Sequence, residues 1–202
     1  MARAHLPNHS TILAYWSDNE AKLINDVGFF LDIGEPACWA CGYNWWGRYN
    51  VTQDVHLFSD SVKAWQKAPL ERCHIVPSAL GGTNLPENII FMCSECHEFA
   101  PNTIYKDMFL SWSKRQNWAQ RRILRIKEEL QAFGIDMTDE LMDLLGKDFI
   151  DNDKSFLKWT DDKISLHWSR LGHPLTAATI AIALIKYLEN SGHDVSPHEK
   201  GI

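Results

Sequence analysis

Residues 70–97 read LERCHIVPSALGGTNLPENIIFMCSECH, and the order of residue types along this stretch decides the fold. Leu70 to Pro77 is a short strand-forming run that stops at proline, which cannot extend a ladder. Ser78 to Glu87 holds Gly81-Gly82, Asn84 and Pro86, the composition of a loop. Asn88 to Met92 brings a second short apolar strand, and from Cys93 the sequence SECHEFA predicts a helix start that Pro101 interrupts.

Working outward, the cysteines come next. There are five, Cys38, Cys41, Cys73, Cys93 and Cys96, and four of them form two CxxC pairs. An odd count, behind an N-terminus MARAHLPNHS without a signal-peptide pattern, reads poorly as a disulfide framework and points to a reducing cytoplasmic setting. Residues 42–92 separate the pairs, a longer insert than in a simple zinc ribbon. One tetrahedral zinc held by Cys38, Cys41, Cys93 and Cys96 remains compatible with it, since zinc accepts four thiolates at ~2.3 Å. The plain alternative is two unrelated pairs of buried cysteines.

Taken together, HIVP at 74–77, the glycine pair, an asparagine before an apolar strand and CxxCH at 93–97 stand in an order that resembles the HNH endonuclease family. The resemblance spans about residues 36–103. It implies a ββα-metal core, often framed by zinc knuckles, and hydrolysis of phosphodiester bonds with a divalent cation. It also implies site residues. His74 matches the general base that takes a proton from water, a task suited to a group titrating near neutrality. Asn88 matches an amide that helps orient that histidine, and His97 matches a ligand of the catalytic metal.

One position departs from the family pattern. The residue before the base is usually Asp or His and ligates the metal, whereas this chain has Cys73. Thiolate suits magnesium poorly. Cys73 could ligate a softer ion such as zinc or nickel, or Glu71, two residues away on the same strand face, could supply a carboxylate. The metal could instead rest on His97 with few other protein groups. Cys73 is otherwise a small buried hydrophobe. The cation expected is Mg2+, Mn2+, Ni2+ or Zn2+. His97 has a second reading, as a partner of the zinc knuckle, and Asn88 a second one as a turn residue.

Composition bounds the partners. The chain has 202 residues, 45% apolar and 23% charged, with a net charge of −6. These values exclude wholesale disorder, and no apolar run is long enough to span a membrane. Nucleic-acid binding must therefore come from a local patch. Lys114, Arg115, Arg121, Arg122, Arg125 and Lys127 stand in 114–127, a window with no acidic side chain. The first five, with Arg72 on the first strand, are the expected contacts to double-stranded DNA. Trp112 and Trp118 interleave with them, either to stack on bases or as core. An acidic remainder discourages indiscriminate binding, which fits a selective restriction or defence enzyme. The rivals are a zinc-framed nucleic-acid-binding module without catalysis and an RNA-directed, toxin-like nuclease.

The flanks read as helices, so the fold class is α+β and mostly helical. An N-terminal segment, 1–34, carries a capping box at Ser17-Asp18-Asn19-Glu20 and an amphipathic run from Ala21 to Leu31 that ends near Gly34. The nuclease core is 35–105, with a short helix over 57–68. The region 106–202 is for DNA binding or dimerisation. It predicts helices over about Ile104–Phe133 (whole, or broken near 117), Thr138–Leu145, Asp161–Leu171 and Thr176–Asn190, with Gly134 and Gly192 as stops and a loose tail over 193–202. The helix 176–190 is apolar nearly all round, so it is buried in a core or in a homodimer contact.

Overall fold

The computed structural model describes residues 5–52, 57–135, 176–190 and 192. The helices expected over Thr138–Leu145 and Asp161–Leu171, and the tail over 193–202, lie outside the described residues. The chain is mostly helical with one two-stranded antiparallel sheet, an α+β arrangement. It divides into two compact units, Met1–Trp118 and Ala119–Ile202. Among the described residues no helix is long and apolar enough to cross a membrane.

The first unit begins with α1, His9–Asp18. Its N-cap is Asn8, whose side-chain oxygen accepts from the Thr11 N–H at 2.9 Å. The capping box expected at Ser17 is therefore not the cap: Ser17 is already inside α1, because Asn8 satisfies the orphan N–H groups a turn and more earlier. Asn19 breaks the helix, a short α2 follows over Glu20–Lys22, and Leu23–Val27 forms a π turn. This run ends at Gly28, not near Gly34. Gly28 adopts φ +80° and gives its N–H to the Leu23 and Ile24 carbonyls, and a Cβ there would come within 2.9 Å of the Lys114 side chain. Only glycine meets both conditions at low cost.

Next, α3 (Phe58–Lys67) leads into β1 (Leu70–His74). β1 pairs with β2 (Ile89–Cys93), with Leu70 opposite Cys93 and His74 opposite Ile89. The ladder thus stops at His74 rather than reaching Pro77, although the Ile75 N–H still bonds the Asn88 carbonyl at 2.8 Å. β2 is buried along its whole length, whereas β1 buries only Leu70 and Cys73 and exposes Glu71. α4 (Ser94–Glu98) follows β2 directly.

An aromatic core backs the sheet. The Trp39 ring meets Phe91 edge-on at 5.3 Å and lies 5.9 Å from Trp65 and 6.0 Å from Trp16. All four are fully buried. Each such ring removes ~150–250 Å² from water, about 4–6 kcal/mol of gross hydrophobic stabilisation before entropy is counted. Their polar handles also anchor chain segments. Trp16 Nε1 donates to the Ile89 carbonyl at 2.9 Å, and Trp65 Nε1 to the Ile33 carbonyl at 2.8 Å.

The long basic stretch forms two helices, α5 (Lys106–Lys114) and α6 (Trp118–Ala132). Trp118 belongs to the first unit's packing: its N–H bonds the Cys41 carbonyl at 3.1 Å, and its ring stacks on Tyr43 at 5.0 Å. In the second unit α6 packs on α7 (Ala177–Asn190) through Leu130, Ile135 and Ala181. Gly134, at φ +77°, ends the α6 segment. Ala181, Ala183, Leu184 and Leu188 of α7 are buried while Ile182 is exposed.

Candidate active site

The two knuckles close on each other. Gly42, at φ +77°, turns the first so that its N–H bonds the Cys38 carbonyl. Cys93 ends β2 and caps α4, its sulfur accepting from the Cys96 N–H. The four sulfurs lie within 4.8 Å of one another, and Cys41 Sγ is 4.0 Å from Cys93 Sγ. Tetrahedral zinc at ~2.3 Å from each sulfur sets them about 3.8 Å apart, so the donor set fits that ion. Crowding of the thiols says the same. Hydrogen bonds from Cys41, Cys93 and Cys96 hold the Cys38 thiol well below its usual range, while Cys41 and Cys96 are pushed up, chiefly by Cys38. Four such groups need a cation before all can ionise.

Above this frame stands His74, at the end of β1. Its Nε2 lies 2.8 Å from Asn84 Oδ1. A carboxamide oxygen only accepts, so Nε2 is the donor in this hydrogen bond. The sequence marks Asn84 only as a loop residue and points to Asn88 as the orienting amide. Asn88 instead holds the loop's backbone. It accepts from the Val76 N–H at 3.0 Å and donates to the carbonyls of Val76 at 2.8 Å and Thr83 at 2.9 Å. With three bonds inside a buried position it fixes the path on which both His74 and Asn84 sit. Gly82 closes the same loop so tightly that a Cβ would fall 1.7 Å from the Val76 carbonyl oxygen.

The expected metal ligands separate into two kinds. Glu71 of β1 and His97 of α4 meet, carboxylate oxygen against Nδ1, and both are half-exposed. An oxygen and an imidazole nitrogen together suit a magnesium-, manganese-, nickel- or zinc-like cation. Cys73 is buried, donates its S–H to the His74 carbonyl at 3.5 Å, and is pushed up to about 12 by burial and by the nearby Cys38 and Glu71 charges. Among the described residues the four cysteines are the only group of three or more His, Cys, Asp or Glu side chains close enough to hold an ion, so Glu71, Cys73 and His97 do not form a second such group.

Two of the expected phosphate contacts are engaged within the fold. The Arg72 guanidinium donates to the Pro7 carbonyl at 3.0 Å, and Lys114 Nζ donates to the Asn25 carbonyl in the π turn. Arg115 caps the end of α5, while Arg121, Arg122 and Arg125 lie in α6.

Residues 62–99, from α3 through α4, match the family model described as HNH endonuclease. That match covers the strand pair, the histidine and the second knuckle, and it supports a nuclease of the HNH type that binds nucleic acid. No curated protein and no solved structure matches the chain.

Proposed function

We propose that the chain is a metal-dependent DNA endonuclease of the HNH class acting in restriction or defence. The observation that carries this reading is the His74–Asn84 pair at the end of β1, on the same strand as Glu71, which meets His97 of α4. His74 is the general base. With Nε2–H held by Asn84, Nδ1 accepts a proton from the attacking water. Asn88 keeps the loop closed so that this orientation is fixed before substrate arrives. Glu71 and His97 are the residues that would hold a divalent cation, with Cys73 packed behind them as an apolar filler. The chemistry a cation supplies there is neutralisation of charge on the phosphate and on the leaving 3′ oxygen. The four-cysteine zinc fixes the strand and helix that carry these groups.

Double-stranded DNA is the proposed substrate, tracked by Arg115, Arg121, Arg122 and Arg125. The net charge of −6 favours a selective enzyme over a scavenger. A homodimer through α7 would let two sites cut both strands.

The test is cleavage of supercoiled plasmid, unmodified and methylated, and of phage DNA, with magnesium, manganese, nickel or EDTA, beside His74→Ala. Discrete metal-dependent products lost in the variant are expected. Salt-sensitive binding by both proteins without cleavage would replace this reading with the non-catalytic zinc module, and cleavage of RNA alone with the toxin-like nuclease.

A further inference from the structure

Away from His74, the segment 48–52 and the face of α3 flank an open cleft of about 300 Å³. This is the lower end of the ~300–1,000 Å³ that small-ligand sites span. On α3 the lining residues Asp60, Lys63, Ala64 and Lys67 recur at helical spacing, so one stripe of the helix forms a wall. The opposite wall is Arg48, Tyr49 and Asn50. Lys63 Nζ pairs with Asp60 at 3.0 Å, and with Arg48 and Lys67 the lining keeps a net positive charge, which favours an anion. The Tyr49 ring, with the Arg48 guanidinium 5.7 Å from its centroid, adds a flat surface that a bare phosphate would not use. Asn50 Oδ1 is shielded from solvent and accepts no hydrogen bond from the protein, an acceptor matched to an N–H donor. The segment is also held under strain: Trp45 adopts φ +52°, a left-handed conformation costly for a bulky residue, and packs against Tyr43 and Tyr49.

We propose that this cleft is a binding site for a nucleoside monophosphate unit. Lys67 takes the phosphate, Tyr49 beside Arg48 stacks on the base, and Asn50 accepts from the base edge. The unit has two sources, a nucleotide turned out of the nucleic-acid strand or a free mononucleotide. The first rests on the nuclease reading above.

The experiment is calorimetric titration of the full-length zinc-loaded protein with AMP, adenosine and inorganic phosphate, repeated on Lys67→Glu. Lys67 is exposed, so the variant is expected to fold. AMP should bind at least about tenfold more tightly than either fragment, and Lys67→Glu should weaken it by about tenfold or more. Equal binding of AMP and phosphate, no AMP binding, or indifference to Lys67→Glu overturns the proposal. A duplex carrying 2-aminopurine separates the sources. A fluorescence rise with wild type that is lost in Lys67→Glu assigns the site to a turned-out nucleotide, whereas AMP binding without that rise assigns it to a free one. The titration needs no cleavage. A protein that binds AMP and cuts nothing loses the nuclease reading alone, and one that cuts through His74 but ignores AMP loses the cleft proposal alone.

Discussion

Asn84 Oδ1 lies 2.8 Å from His74 Nε2, a hydrogen bond that ties the ring to the loop closed by Gly82. On the proposed reading, His74 is thereby oriented before any substrate binds. Losing His74 should cost about 10²–10⁴ in cleavage rate, the usual worth of a positioned base. Asn84→Ala should lower kcat by about tenfold with KM unchanged, because the ring is freed rather than removed. Asn84→Asp should restore much of the rate and move the acidic limb of the pH–rate profile upward by about one unit, since a carboxylate favours the imidazolium. An unaltered profile in both variants would remove Asn84 from the mechanism.

Removing zinc should unfold the first unit. Structural zinc in small domains is bound with ~10–16 kcal/mol of apparent free energy, comparable to the ~5–15 kcal/mol total stability of a domain. Cys93→Ser should abolish zinc in the purified protein, read by elemental analysis. Chelator should abolish the cooperative melting of the wild-type first unit, and the variant should lack that transition with or without chelator.

Glu71 and Cys73 should behave oppositely although they share a strand. Glu71→Gln should raise the metal concentration for half-maximal cleavage by about tenfold or more, as loss of a ligand or its support does. Cys73→Ala should leave that concentration alone and cost roughly 1–2 kcal/mol of stability from lost packing. A metal titration of both variants decides between the carboxylate and the thiol.

Gly82→Ala should damage the loop, since its new methyl would overlap the Val76 carbonyl, which is backbone and has no alternative rotamer. A loss of about 1–3 kcal/mol in denaturant titration is expected, together with slower cleavage at unchanged metal affinity. Wild-type rate in that variant would show that the loop's path does not matter to His74.

His9 stacks on Phe91 at 5.0 Å, and burial, helped by the Arg72 charge, lowers its pKa below the ordinary 6.5. The folded chain therefore resists a proton that the unfolded chain accepts. Its contribution to stability is complete above about pH 6.5, falls as pH drops below that, and levels off once the folded form protonates too. His9→Phe should lack this slope. The stability difference between the two proteins, followed by urea midpoints from about pH 7.5 to about pH 5, should shift toward the variant as pH falls.

Much of this site was legible because its chemistry is local in sequence. His74, the loop and the second knuckle lie within residues 70–97, and the first knuckle announces itself by its spacing. Asn84 was not legible. Two asparagines flank the same loop turn, and only the closure made by Gly82 and Val76 decides which one reaches the ring and which one holds backbone. The N-terminal helix was misplaced for a similar reason. Ser17 and Asn8 both offer a capping oxygen, and burial of Ile12, Leu13 and Trp16 against the core favours the earlier start. Arg72 and Lys114 looked like phosphate contacts by charge alone, and only tertiary structure reveals the carbonyls they bind.

The hairpin is fastened at both ends. At one, Leu70 lies opposite Cys93, a member of the sulfur cluster; at the other, His74 leads directly to the segment that Asn88 grips. Because side chains alternate along a strand, a one-residue slip would turn His74 to the opposite face and ruin the site without unfolding it. Such a slip would have to tear the sulfur cluster and the amide clamp in the same event. The two fastenings therefore act as a guard on register, so that a misaligned copy should surface as an unfolded chain rather than as a folded, inactive one.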